Sequence, residues 1–125
     1  MTLKLIIGNK NYSSWSLRPW IAMKVAGIPF DETVISLNAP DFKARVNAAS
    51  GTGKVPVLID GDVQVWESLA ILEYLAEKFP GAGLWPRDVV ARAHARAIAN
   101  EMHGGLLPLR RHLPMNMWRP VIKPP

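Results

Sequence analysis

Leu3, Leu5, Ile6 and Ile7 form a short apolar run that stops at Gly8, the pattern of a buried strand. Asn9 to Asn11 reads as a turn, and Ser13, Ser14 and Ser16 follow as candidate helix N-caps. Pro19 suits a first helical turn, where its missing N–H is not needed. The helix is predicted to run to Ala26, with Trp20, Ile21 and Val25 on its apolar side. Gly27 then stops it and Pro29 follows, as expected after a C-cap. Phe30 to Leu37, with Thr33, Val34 and Ile35, reads as a second strand. Pro40 to Ala49 predicts a short helix with Asp41 near its start.

Ser50 to Gly53 is a loop. Val55 to Ile59 predicts a third strand, Asp60-Gly61 a hairpin turn, and Val63 to Trp66 the return strand. Ser68 is placed to cap a helix whose apolar positions are Leu69, Leu72, Leu75, Ala76 and Phe79, spaced by threes and fours. Pro80-Gly81 ends it. The order is β-α-β-α-β-β-α within residues 1–80. A right-handed crossover makes the first strands parallel, and the hairpin adds antiparallel ones. The expected fold class is α/β, a mixed four-stranded sheet with flanking helices.

Residues 81–87 read as a linker. Residues 88–125 begin with an alanine-rich helix ending near His103, with a narrow stripe of Ala91, Ala95, Ile98 and Met102. Beyond Leu107, Pro108, Pro114, Pro120, Pro124 and Pro125 forbid a long uninterrupted helix. Poor order is expected over 113–125.

The chain has 125 residues and a net charge of +5, within the range of one domain. Residues 1–86 carry eight basic and eight acidic side chains, and residues 87–125 carry seven and two, so the whole excess lies in the second part. A nucleic-acid surface wants a basic stripe with aromatics and a reader motif. The scattered bases here read as a solvated helix face instead. No apolar run approaches the roughly 18 residues of a membrane span, and no secretory signal opens the chain. A cytoplasmic protein is expected, with no membrane partner. His94, His103 and His112 lack metal-ligand spacing with carboxylates and read as surface or satisfied core residues, so no metal is expected. Trp20 and Trp66 read as core. There is no cysteine, which excludes disulfides and thiolate metal sites.

Three stretches carry a family resemblance: Tyr12-Ser13-Ser14-Trp15-Ser16-Leu17-Arg18 at the first strand-to-helix turn, Lys54-Val55-Pro56-Val57-Leu58 before the hairpin, and Glu67-Ser68-Leu69-Ala70-Ile71-Leu72-Glu73-Tyr74-Leu75 opening the third helix. Their order and separation resemble the amino-terminal, thioredoxin-like domain of glutathione S-transferases, closest to serine-using, zeta-like and related bacterial members. The resemblance covers residues 1 to about 86 well and the alanine-rich helix more loosely. It implies a thioredoxin-like glutathione-binding domain over 1–80. Residues 88–125 would then be the truncated start of a helical carboxy-terminal domain.

By position, the resemblance implies that Ser13 hydrogen-bonds the glutathione sulfur, with Ser14 and Tyr12 as neighbouring hydroxyls that remain alternatives. It implies a cis bond before Pro56, with the Val55 backbone pairing with the cysteinyl part of the tripeptide. Glu67 and Ser68 would hold the γ-glutamyl end, and Lys54 would stand at the glycine end. Glutathione would be the co-substrate, and a small electrophile the second partner. A full-length chain would form a homodimer.

The chemistry suits these residue types. A free thiol titrates near 8.5, so only a small fraction is thiolate at neutral pH. A hydroxyl at a helix amino terminus stabilises the anion, because the N–H groups and the helix dipole point the same way. A shift of about two units is worth about 2.7 kcal/mol, within reach of two or three charge-assisted donors. Without cysteine the chain forms no mixed disulfide with glutathione, so the thiol of the bound tripeptide must do the chemistry. The expected function is that of a glutathione transferase or isomerase. The short helical part also leaves open a non-catalytic module that binds glutathione or a protein, and it implies weak binding with low turnover.

Overall fold

The computed structural model describes residues 2–120. Strands β1 (Leu3–Ile7), β2 (Phe30–Val34), β3 (Val57–Asp60) and β4 (Val63–Trp66) alternate with helices α1 (Ser14–Val25), α2 (Phe42–Ala49) and α3 (Ser68–Lys78). A 3-10 turn (Pro80–Ala82) leads to α4 (Val89–Gly104) and the short α5 (Leu107–His112). The sheet order is β2-β1-β3-β4. β1 pairs parallel with β2 and antiparallel with β3, Leu5 lying opposite Leu58 and Ile6 opposite Val57. This is the expected mixed sheet of a thioredoxin-like fold.

The period of two along β1 divides the core. Leu3, Leu5 and Ile7 join Met23, Ile28, Leu58, Ile71 and Leu75 on the α1/α3 face. Ile6 turns the other way and packs with Ile35, Val46 and Val57 on the α2 face. Central strands buried on both sides read as near-continuous apolar runs, which is why β1 was legible.

Helix α1 buries a different face from the one expected. Its buried side chains are Ser16, Pro19 and Met23, one apart by three and the next by four. Ile21 and Val25 face solvent, and Trp20 is half-buried at the rim of the core, donating from Nε1 to Glu32 at 2.7 Å. Small side chains on the buried face let the helix lie close to the sheet. Pro19 is not in the first turn but is the sixth helical residue, so the Trp15 carbonyl lacks its usual N–H partner. The helix stops as expected. Gly27 adopts a φ of 67°, Ile28 N–H donates to Met23 O at 2.9 Å and Gly27 N–H to Lys24 O at 3.3 Å, the Schellman pattern. Met23 and Ile28 are both buried, so the cap is fastened into the core.

Three further expectations change. Helix α3 begins with Ser68 rather than being capped by it; the N-cap is Glu67, at a φ of 68°. Its innermost residues are Ser68, Ile71 and Leu75, while Leu69 and Leu72 are half-buried. Trp66 is about half exposed rather than core, because β4 is an edge strand with its side chains largely outside. The expected stripe on α4 finds no groove: Ile98 and Met102 are exposed and the helix has no buried residue. Asp88 does cap α4, accepting from Ala91 N–H at 2.8 Å.

Of the segment expected to be poorly ordered, 121–125 lie outside the described residues. Residues 113–120 form no helix or strand, yet they are tied down: Trp118 N–H donates to Asn11 Oδ1 at 2.8 Å and Met117 N–H to Asn11 O at 3.4 Å. Among the described residues no helix is long and apolar enough to cross a membrane.

Candidate functional site

The loop after β1 delivers three hydroxyls to the start of α1. Ser13 is the N-cap, and its oxygen accepts from Ser16 N–H at 3.4 Å. Its hydroxyl donates to Ser16 Oγ at 2.8 Å, and Gly8 N–H donates to the same Ser16 oxygen at 3.0 Å. Both serines are buried, whereas Ser14 is half-buried and Tyr12 exposed. Ser13 is therefore a structural cap, and it also lines a cleft.

That cleft has a volume of about 500 Å³. Ser13 and Ser14 line it from α1, Lys54, Val55 and Pro56 from the loop before β3, and Glu67 and Ser68 from the start of α3. All seven positions singled out from the sequence thus meet in one concavity, although up to 55 residues separate them along the chain. Tyr12, Trp15, Leu37 and Phe42 complete much of the wall. The peptide bond between Val55 and Pro56 is cis, as the resemblance implied. Lys54 is exposed, and its N–H donates to Thr52 Oγ1 at 3.3 Å.

Glu67 holds a left-handed backbone conformation that a side chain disfavours, at a cost of order 1–3 kcal/mol. Its carbonyl still accepts from Ile71 N–H at 3.0 Å, so the strained residue opens the helix. The carboxylate is about half exposed. Ser68, next to it, is almost fully buried.

The sequence reading missed Arg18 and His103 as members of this neighbourhood. Arg18 Nη1 donates to Ser68 Oγ at 3.5 Å and lies 3.4 Å from His103 Nδ1. Burial, with Arg110 nearby as the second cause, holds the Arg18 guanidinium below its usual pKa. His103 Nε2 is 3.5 Å from Glu67 Oε2, and its ring meets Trp15 edge-on at 5.0 Å between centroids. His103 is thus neither a plain surface residue nor a core one. The alanine-rich helix that ends near His103 was a loose part of the resemblance, but spacing alone gave no sign that His103 meets Arg18 of α1.

Trp15 also receives two cations, Arg18 at 4.3 Å and Arg110 at 4.5 Å from its ring centroid. Arg110 donates from Nε to Gly105 O at 3.0 Å and from Nη2 to Met102 O, tying α5 to the end of α4. A second hollow of about 380 Å³ adjoins the cleft through Tyr12, Ser14 and Trp15, with Leu109, Arg110, Leu113, Pro114 and Met115 on its far side. Among the described residues no three His, Asp or Glu side chains converge as a metal site would require.

The arrangement suits an extended, zwitterionic ligand. A carboxylate (Glu67) and two serines at a helix amino terminus line the same cleft. Backbone next to Pro56 lies along the side, and an exposed lysine stands beyond.

Residues 12–78 match the family described as glutathione S-transferase, N-terminal domain. The chain is similar to a probable maleylacetoacetate isomerase of Caenorhabditis elegans, 38% identical over 98 residues, which are 78% of this chain and 45% of that protein. Among solved structures it is similar to a glutathione S-transferase from the Antarctic clam Laternula elliptica, with a TM-score of 0.73 at 30% identity, over 81% of this chain and 46% of that one. A glutathione transferase homolog from Burkholderia, solved with bound glutathione, gives a TM-score of 0.73 at 25% identity, over 89% of this chain and 58% of that one. The chain spans about half or less of the length of the curated relatives it matches.

Proposed function

Because the chain belongs to the glutathione S-transferase family, we propose that it binds glutathione in the cleft between α1, Pro56 and α3 and activates its thiol against a small electrophile. The observation that carries this reading is the convergence of Ser13, Val55, Pro56, Glu67 and Ser68 on one cleft.

In this reading Glu67 accepts from the γ-glutamyl ammonium, and Ser68 donates to the neighbouring carboxylate at the start of α3. Val55 offers its backbone to the cysteinyl residue as an added strand would. Lys54 stands by the glycine carboxylate, and Ser14 flanks the sulfur.

Ser13 carries the chemistry through its link to Ser16. The Ser16 oxygen is held by Gly8 N–H and has a proton of its own. When Ser16 turns that proton toward Ser13, the Ser13 proton is released toward the cleft and donates to the sulfur. The α1 dipole adds to it. The thiol gives its proton to water, the thiolate is stabilised by the Ser13 hydrogen bond, and it adds to an electrophile or drives a reversible addition that isomerises one. The hollow bounded by Trp15 and α5 is where the electrophile sits, against Leu109 and Leu113.

A second reading is a glutathione-binding module without turnover. It is favoured by α4 and α5, which hold no buried residue. Two measurements separate the readings. Saturable quenching of tryptophan fluorescence by millimolar glutathione is expected in both. Conjugation of a chloronitrobenzene, lost in Ser13→Ala, is expected only in the first. A folded protein that shows no saturable response to glutathione would refute both.

A further inference from the structure

We propose that Arg18 and His103 are positioning residues, which fix the Glu67 carboxylate and the Ser68 hydroxyl that receive the amino-acid end of the ligand; this rests on the glutathione site proposed above. His103 comes from the last turn of α4 and Arg18 from the middle of α1, and they meet at 3.4 Å between Nδ1 and Nη1. A guanidinium only donates. The ring nitrogen facing it is therefore the acceptor, and the imidazole proton lies on Nε2. That nitrogen faces Glu67 Oε2 at 3.5 Å. The ring thus shows a lone pair to Arg18 and an N–H to Glu67. The Trp15 indole, edge-on at 76°, restrains it from turning over.

One guanidinium consequently reaches both ligand-facing side chains. It touches Ser68 Oγ directly at 3.5 Å and Glu67 through the imidazole. This matters because the Glu67 side chain is about half exposed and free to sample rotamers. Among the described residues His103 is the one basic side chain within ion-pair distance of Glu67. Holding Oε2 restricts the rotamers of a carboxylate that lines the cleft. A neutral imidazole does this without cancelling the charge that an ammonium needs, whereas a lysine there would compete with the ligand.

The test compares two ligands on the full chain by calorimetric titration. One is glutathione; the other is glutaryl-cysteinylglycine, the same molecule without the α-amino group. His103→Ala is expected to weaken glutathione about five-fold and the analogue by less than about two-fold, the loss of one charge-assisted contact. His103→Gln, which can still turn an N–H toward the carboxylate, is expected to recover most of the glutathione affinity. Melting temperatures confirm that each variant is folded. Equal losses on both ligands would mean that His103 serves only the packing of α4, and no loss on either would mean that it does not act on the site. Either result overturns the proposal. Failure of the wild-type chain to bind glutathione is a separate outcome that removes the site itself, and this inference with it.

Discussion

The Ser13 hydroxyl lies 2.8 Å from that of Ser16, which also takes the Gly8 amide at 3.0 Å. The end of β1, the cap of α1 and the proposed sulfur ligand thereby share one buried polar knot. Stability and chemistry are coupled there, and substitutions in the knot should move both.

Ser13→Ala removes the cap oxygen and the proposed sulfur donor together. Loss of the cap is expected to cost about 1 kcal/mol in urea unfolding. Loss of one donor to a developing anion is expected to lower kcat/KM by about two orders of magnitude. A variant that loses stability but keeps its turnover would move the chemistry to Ser14 or Tyr12.

Gly8→Ala should disturb the same knot from the other side. A Cβ at Gly8 would stand 2.9 Å from Leu37 Cδ2, 2.9 Å from Ser13 Cβ and 3.0 Å from Ser13 Oγ. Overpacking of this kind costs about 1–3 kcal/mol. Displacement of Ser13 should also weaken glutathione binding, read by fluorescence titration. Unchanged stability and affinity would show that the β1–α1 turn is soft.

Asp60 supplies a pH-dependent prediction away from the site. A hydrogen bond from Lys78, and then one from the Tyr74 hydroxyl at 2.6 Å, hold its carboxyl below the usual range. The stabilisation is therefore complete above the carboxyl's unfolded pKa, near 3.9, and is lost as pH falls through the lower folded value. Asp60→Asn should melt earlier than the wild type at neutral pH, and the difference should close in strong acid. A difference independent of pH would assign the effect to packing.

Asn11 holds the 114–118 segment, whose Met117 covers a small apolar hollow behind Ser13 and Ser16. Asn11→Ala should leave Trp118 N–H with only the longer bond to Asn116 Oδ1 at 3.3 Å and speed chymotryptic cleavage after Trp118 about five-fold, the worth of one hydrogen bond. No change in cleavage would mean that the other contacts of the segment suffice.

Much of the fold was legible along the chain because its signals are local. The run Leu3 to Ile7, the Asp60-Gly61 turn and the Gly27 stop each act within a few residues. The buried face of α1 was not legible. Trp20, Ile21 and Val25 are more hydrophobic than Ser16 and Pro19, but the site needs small residues close to the sheet. Glu67 as the cap of α3 was missed for a similar reason, since nothing in its residue type announces a positive φ.

By itself the sequence determined the order of elements and the mixed sheet, since strand period and helix stops are properties of short stretches, while its family resemblance pointed to the seven positions that line the cleft. Only the tertiary structure decided that His103 and Arg18 meet beside Glu67, that Arg110 lies on Trp15, and that Asn11 holds the Met117–Trp118 backbone. Those contacts join residues far apart in the chain. Their existence depends on where α4 and α5 come to rest against the sheet layer, and no local pattern encodes that.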